Sequence, residues 1–120
     1  MEDAERTTAL RALSALDDAR AVDPVALDVR RLCGFADYLI VASAPSDARL
    51  SGLARRLEKA LVERGVKLLS RQGDGSGWLV YDAGTVVVHL LDASLRDYYQ
   101  LEHLWGDAPR LDAPRMTGTP

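Results

Sequence analysis

Between Asp37 and Ser43 the chain runs through Tyr38, Leu39, Ile40, Val41 and Ala42 without a polar interruption. A strand with one wet face alternates apolar and polar residues. An unbroken apolar run instead asks to be covered on both faces, as a central strand between layers is. The run is far too short to cross a membrane, which takes roughly 20 apolar residues. With 120 residues in total, the chain fits one domain large enough to bury a real core around such a strand. Ala44-Pro45-Ser46-Asp47 then breaks the run, with Ser46 or Asp47 placed to cap the following segment.

The rest of the pattern supplies the layers. Ala4–Val22 repeats Ala9, Ala12, Leu13, Leu16 and Ala19 at helical spacing, and Asp23-Pro24 is expected to end that helix. Val25, Leu27 and Val29 alternate with Ala26, Asp28 and Arg30, which predicts a strand with one wet face. Ala48–Arg64 is a second amphipathic helix with Leu50, Leu53, Leu57, Ala60 and Leu61 inward and Gly65 at its C-cap. A short strand is expected over Val66–Ser70 and a glycine-rich loop over Arg71–Gly77. Trp78–Asp82 and Thr85–Leu91 are then two strands joined through Ala83-Gly84, a hairpin pattern. Ser94–Trp105 is a final helix, with Asp92 or Ser94 near its cap and Gly106 at its end. Pro109, Pro114 and Pro120 mark 107–120 as a flexible tail behind a domain over 1–106. The order is α-β-β-α-β-β-β-α, and the fold class is α/β of the α+β type: a mixed sheet of about five strands with helices packed on it.

Several kinds of chemistry lack their residues. The single cysteine, Cys33, allows no internal disulfide and no cysteine-rich metal site. His89 and His103 have no metal-ligand spacing, so neither a metal nor a cofactor is expected. Gly73-Asp74-Gly75-Ser76-Gly77 opens a strand rather than a helix and lacks a Walker lysine, so a turn fits it better than a phosphate cradle. Ser43, Ser46 and Ser94 have no nearby histidine, and Asp82 and Asp92 do not form an Asp-x-Asp pair, so no enzyme is expected. Met1–Arg20 mixes acids and bases through its apolar positions, unlike a signal or transit peptide, which predicts a cytoplasmic protein with no membrane partner.

Charge is unevenly spread. The net charge is −3, which argues against a general nucleic-acid binder. Ser46–Arg71 carries seven Lys/Arg against three Asp/Glu, and Gln72–Asp112 carries two against seven, giving local charges of +4 and −5. These are either ordinary solvated faces or, for the acidic half, a surface for a basic partner. Alternation places Trp78, Val80 and Asp82 on one face of their strand and Leu79 and Tyr81 on the other. Trp78 then either packs in the core or stands beside Val80 as a bulky apolar anchor of an interface.

Three stretches carry a resemblance. Gly77-Trp78-Leu79-Val80-Tyr81-Asp82-Ala83-Gly84-Thr85-Val86-Val87-Val88-His89 is similar to a "W-hydrophobic-D-x-G-x-V-V-V-H" hairpin. Arg96-Asp97-Tyr98-Tyr99-Gln100-Leu101-Glu102-His103-Leu104-Trp105 is similar to an "R-x-x-Y-x-L-E-x-L-W" helix. Ala36–Ala42 followed by Ser46-Asp47 is similar to an "A-D-Y-hydrophobic-V-I-A-x-G-x-S" segment. In this order and spacing the three resemble the ribosomal silencing factor (Iojap-like, RsfS) family over about Ala4 to Pro109.

That resemblance implies a fold like that of nucleotidyltransferases without their catalytic carboxylates. It implies binding to the large ribosomal subunit through large-subunit protein fourteen, which blocks joining of the small subunit and represses translation. It also implies a homodimer when the protein is free, and no sequence-specific contact with nucleic acid. By position, Trp78, Val80 and Asp82 are the partner-binding candidates. Arg96, Tyr99, Glu102 and Trp105 either support the fold or shape the same surface. The chain departs from the family at Ala44-Pro45-Ser46, where Gly-x-Ser is usual, at Arg49, where Gln or His is usual, and at Ala83, which is smaller than usual. The first two weaken any nucleotide-binding role for that corner. The alternatives are a dimeric adaptor without a ribosomal role and a divergent nucleotidyltransferase.

Overall fold

The computed structural model describes residues 4–32, 36–63, 65–73, 77–100, 103, 106 and 108–111, apart from the side chains of Ala4, Asp47 and Tyr99. The elements are α1 (Ala4–Asp18), β1 (Val22–Asp28), β2 (Tyr38–Ala44), α2 (Asp47–Glu63), β3 (Ser70–Gln72), β4 (Trp78–Asp82), β5 (Val86–Asp92), α3 (Ala93–Tyr99) and β6 (Arg110–Leu111). The strands form one mixed sheet in the order β3-β4-β5-β2-β1-β6. β2 and β5 are parallel, and all other neighbours are antiparallel. The apolar run is the central strand expected of it: every residue of β2 is buried.

The sheet has two unlike faces. α1 and α2 cover the first, where Ala26, Ile40, Leu79, Tyr81 and Leu90 meet Leu13, Leu16, Leu50, Leu53 and Leu57. Each such leucine, taken out of water, contributes about 1.5–3 kcal/mol. The second face holds a smaller cluster of Val25, Leu27, Leu39, Val41, Val87 and Leu91, against which Leu95 of α3 packs. A polar clamp fastens α2 to the β3–β4 edge. The Tyr81 hydroxyl donates to Glu58 Oε2, and Arg71 Nη1 reaches the same oxygen at 2.8 Å.

Element ends differ from the sequence expectation where main-chain geometry, not side-chain pattern, decides them. α1 stops at Asp18 rather than continuing to Val22. Arg20 adopts φ 63°, its N–H bonds the Asp17 carbonyl, and the Ala21 N–H bonds the Leu16 carbonyl. This is the Schellman turn. Pro24 therefore lies inside β1, at the irregularity between Val22 and Val25 in the β1–β2 pairing, where its missing N–H is tolerated. The inner position Ala26 is buried under α1, so β1 lacks the wet face expected of it. The strand expected over Val66–Ser70 lies instead at Ser70–Gln72, paired with Val80–Asp82. α3 ends at Tyr99 because Gln100 turns left-handed (φ 49°). Arg110 and Leu111, expected in a flexible tail, pair with Leu27 and Ala26 as a sixth strand. Cys33, Asp74–Ser76, Glu102 and Trp105 lie outside the described residues.

Candidate functional site

The hairpin of β4 and β5 positions the candidate residues. Its turn is held twice: the Ala83 N–H bonds the Val86 carbonyl at 2.9 Å, and the Gly84 N–H bonds Asp82 Oδ1 at 2.8 Å. Gly84 sits at φ 90°, a conformation that side chains resist. Register then pairs Trp78 with Leu91, Val80 with His89 and Asp82 with Val87. Leu79 and Tyr81 point to the helices and are buried, while Trp78, Val80 and Asp82 on the other face are half-buried. The alternation expected from the sequence holds residue by residue.

Trp78 is neither a sealed core residue nor a free-standing one. It packs with Val80 against the second-face cluster. Its indole Nε1–H donates to His89 Nδ1 at 3.0 Å, with ring centroids 6.0 Å apart and planes at 57°. An indole nitrogen only donates, so His89 Nδ1 must be the accepting, unprotonated nitrogen and the imidazole proton sits on Nε2. Burial pushes the His89 pKa from 6.5 down to about 4, so the acceptor is available at neutral pH. Trp78 thereby lies in a fixed orientation with part of its surface still open to solvent. Asp82 brings an acidic group to this face, although one carboxylate oxygen is committed to the turn.

The second group of candidates separates. Arg96 is a structural tie. Its guanidinium is buried, and Nη1 donates to the Val22 carbonyl at 2.9 Å and to Ser43 Oγ at 3.3 Å; Nη2 lies 3.6 Å from Asp23 Oδ2. Arg96 thus fastens α3 across β2 to the start of β1, away from the Trp78 strand. Asp92 caps α3 by accepting the Leu95 N–H at 2.9 Å. Tyr99 lies in the last turn of α3, and Glu102 and Trp105 fall outside the described residues.

The residue that sequence reasoning missed is His89. The sequence shows it only as a histidine without metal-ligand spacing, set within an apolar strand. The hairpin register alone carries the missing signal: with Asp82 opposite Val87, positions 78 and 89 fall on one face, diagonal to each other. No group of three or more His, Cys, Asp or Glu side chains comes together in metal-binding geometry among the described residues. No helix among them is long and apolar enough to cross a membrane.

Comparison with known proteins places the arrangement in context. A family model described as "Ribosomal silencing factor during starvation" matches residues 2–119. The ribosomal silencing factor of Bacillus subtilis is 39% identical over 102 residues, covering 84% of this chain and 86% of that protein. The ribosomal silencing factor of Chromobacterium violaceum is 38% identical over 96 residues, 79% of each. A crystal structure of a Chromobacterium violaceum protein superposes with a TM-score of 0.81 at 32% identity, covering 99% of this chain and 95% of that one.

Proposed function

The chain belongs to the ribosomal silencing factor family, and from that premise we propose that it binds the large ribosomal subunit and represses translation by keeping the small subunit off. The contact is the second face of β4, and its counterpart is large-subunit protein fourteen. The observation that carries this reading is the state of Trp78: a large aromatic side chain held in one orientation by His89, half-exposed, with Val80 beside it and Asp82 at the strand's end. A pre-oriented aromatic loses little conformational freedom on binding and supplies most of an interface's energy when a partner seals it. The acidic group suits a basic ribosomal protein surface.

The mechanism is occupancy, with no bond made or broken. Repression follows mass action between the factor and the small subunit for one surface. The protein acts in the cytoplasm, where ribosomes are, and the free form is a homodimer. A subunit-joining assay tests the reading. Purified large and small subunits mixed with rising amounts of the protein should yield fewer joined ribosomes, with the protein found on the large subunit. Full joining at saturating protein would remove the proposed function and leave the fold intact.

A further inference from the structure

A second, chemically different concavity lies on the other side of the sheet. The turn that ends α1 and the first turns of α2 enclose a groove of about 340 Å³. Three exposed arginines line it, Arg20, Arg49 and Arg56. None of the three makes a side-chain hydrogen bond or an ion pair among the described residues, whereas Arg30, Arg71 and Arg96 each hold a carboxylate. Three exposed guanidinium groups around one concavity, with no ion pair among the described residues, form an anion-attracting surface.

Two local sacrifices converge on the same groove. α1 and α2 end in the same Schellman turn. In α2 the left-handed position is Gly65 (φ 77°), and in α1 it is Arg20 (φ 63°). Glycine is the residue that position favours, and a long side chain there is strained. The groove is also lined by Gly52, in the middle of α2, where glycine weakens a helix. A Cβ at Gly52 would meet no atom within 4 Å, so packing does not require the glycine. A departure from local preference without a packing reason, as at Gly52, is what a functional site can impose. Arg49, Gly52 and Arg56 lie at i, i+3 and i+7, on one side of α2.

We infer that this groove binds the phosphate backbone of RNA. The arginines are exposed rather than enclosed, and Arg49 and Arg56 stand about 10 Å apart along the helix axis. Such a track matches successive phosphates of a polymer better than one compact phosphate. The groove begins at Ala44, next to Ser43, which shares a cross-sheet row with Leu91 and Trp78. The groove and the Trp78 face therefore lie at the same end of the sheet, on opposite faces and about two strand spacings (~10 Å) apart. A particle of protein and RNA can engage both. That the RNA is ribosomal rests on the function proposed above; that the groove takes RNA phosphate does not.

The test is fluorescence anisotropy of the full chain with a labelled RNA duplex of about 16 base pairs. Three phosphate contacts predict an affinity that falls about 40-fold between about 50 mM and 200 mM salt. Arg49→Gln with Arg56→Gln, leaving one contact, should weaken binding by at least about 10-fold at low salt and flatten that dependence to about 3- to 4-fold. Arg20→Gly relieves the left-handed strain, so it should raise the melting temperature while weakening RNA binding, which no loss of folding can imitate. No RNA binding by the unaltered chain, or unchanged binding in these variants, overturns the inference. Displacement of the RNA by ATP or GTP at matched phosphate concentration also overturns it, in favour of a nucleotide pocket. Pelleting with large subunits, run in parallel, keeps the two readings apart. Protein that binds RNA but does not pellet removes the ribosomal function alone, and protein that pellets but does not bind RNA removes the groove's role alone.

Discussion

The two faces of β4 use the same strand for opposite purposes. Leu79 and Tyr81 are sealed beneath α2, and the Tyr81 hydroxyl is tied to Glu58. Trp78 and Val80, one residue away in each case, lie on a thinner cluster and keep part of their surface in water. The inward residues are held by packing. The outward tryptophan, less completely packed, is oriented by a hydrogen bond from its indole to a neutral histidine. Orientation without complete burial is what an interface residue needs, and a core residue has no use for it.

Substitutions on the inward side should give the largest effects and act on stability alone. Tyr81→Ala removes a fully buried ring and is expected to lower unfolding free energy by about 3–5 kcal/mol in a denaturant titration. The fraction that remains folded should bind large subunits as before. A Tyr81→Ala protein that folds normally but loses binding would erase the distinction between the faces.

Acid should reach the outward side next. The His89 pKa is 6.5 unfolded and about 4 folded, so the unfolded state binds more protons between those values. The contribution is therefore full above pH 6.5 and lost as pH falls towards 4, on the order of 3 kcal/mol in all. Protonation also turns Nδ1 into a donor and breaks the Trp78 bond. His89→Gln should remove this part of the pH dependence, measured as denaturation midpoints from pH 7 to about 4. An unchanged slope would show that His89 is not the group responsible.

A smaller effect isolates the hydrogen bond. Trp78→Phe keeps an aromatic ring and deletes the indole N–H, and should lower stability by about 1 kcal/mol. The His89 pKa, followed by NMR, should rise at the same time, because the neutral imidazole loses its donor. A His89 pKa that does not move would mean that burial alone sets it.

Side-chain pattern made the layers legible. The unbroken run at Tyr38–Ala42 announced the central strand, and the alternation from Trp78 to Asp82 assigned the faces of β4 correctly. What stayed hidden depends on backbone geometry or on distant partners. Arg20 ends α1 from a left-handed position that its type does not advertise. β3 has three exposed residues and no apolar signal, and exists only through pairing with β4. β6 is two residues long and lies among prolines that read as a tail. At the candidate site the tryptophan was visible and its bonding was not, because sequence gives the type of residue 89 but not the proton on its ring. For Arg96, the motif could not separate a fold tie from a surface contact. The bonds to Val22 and Ser43, which the motif does not reveal, show what it holds within the fold.

The most direct test of the central claim is co-sedimentation with isolated large subunits, comparing Trp78→Ala on the outward face with Tyr81→Phe on the inward one. Both variants are first checked for cooperative unfolding. The account predicts that folded Trp78→Ala binds at least about 30-fold more weakly, a loss of about 2 kcal/mol, while Tyr81→Phe pellets like the unaltered protein. Folded Trp78→Ala that pellets normally would contradict the account, because its partner would then be gripping some other face.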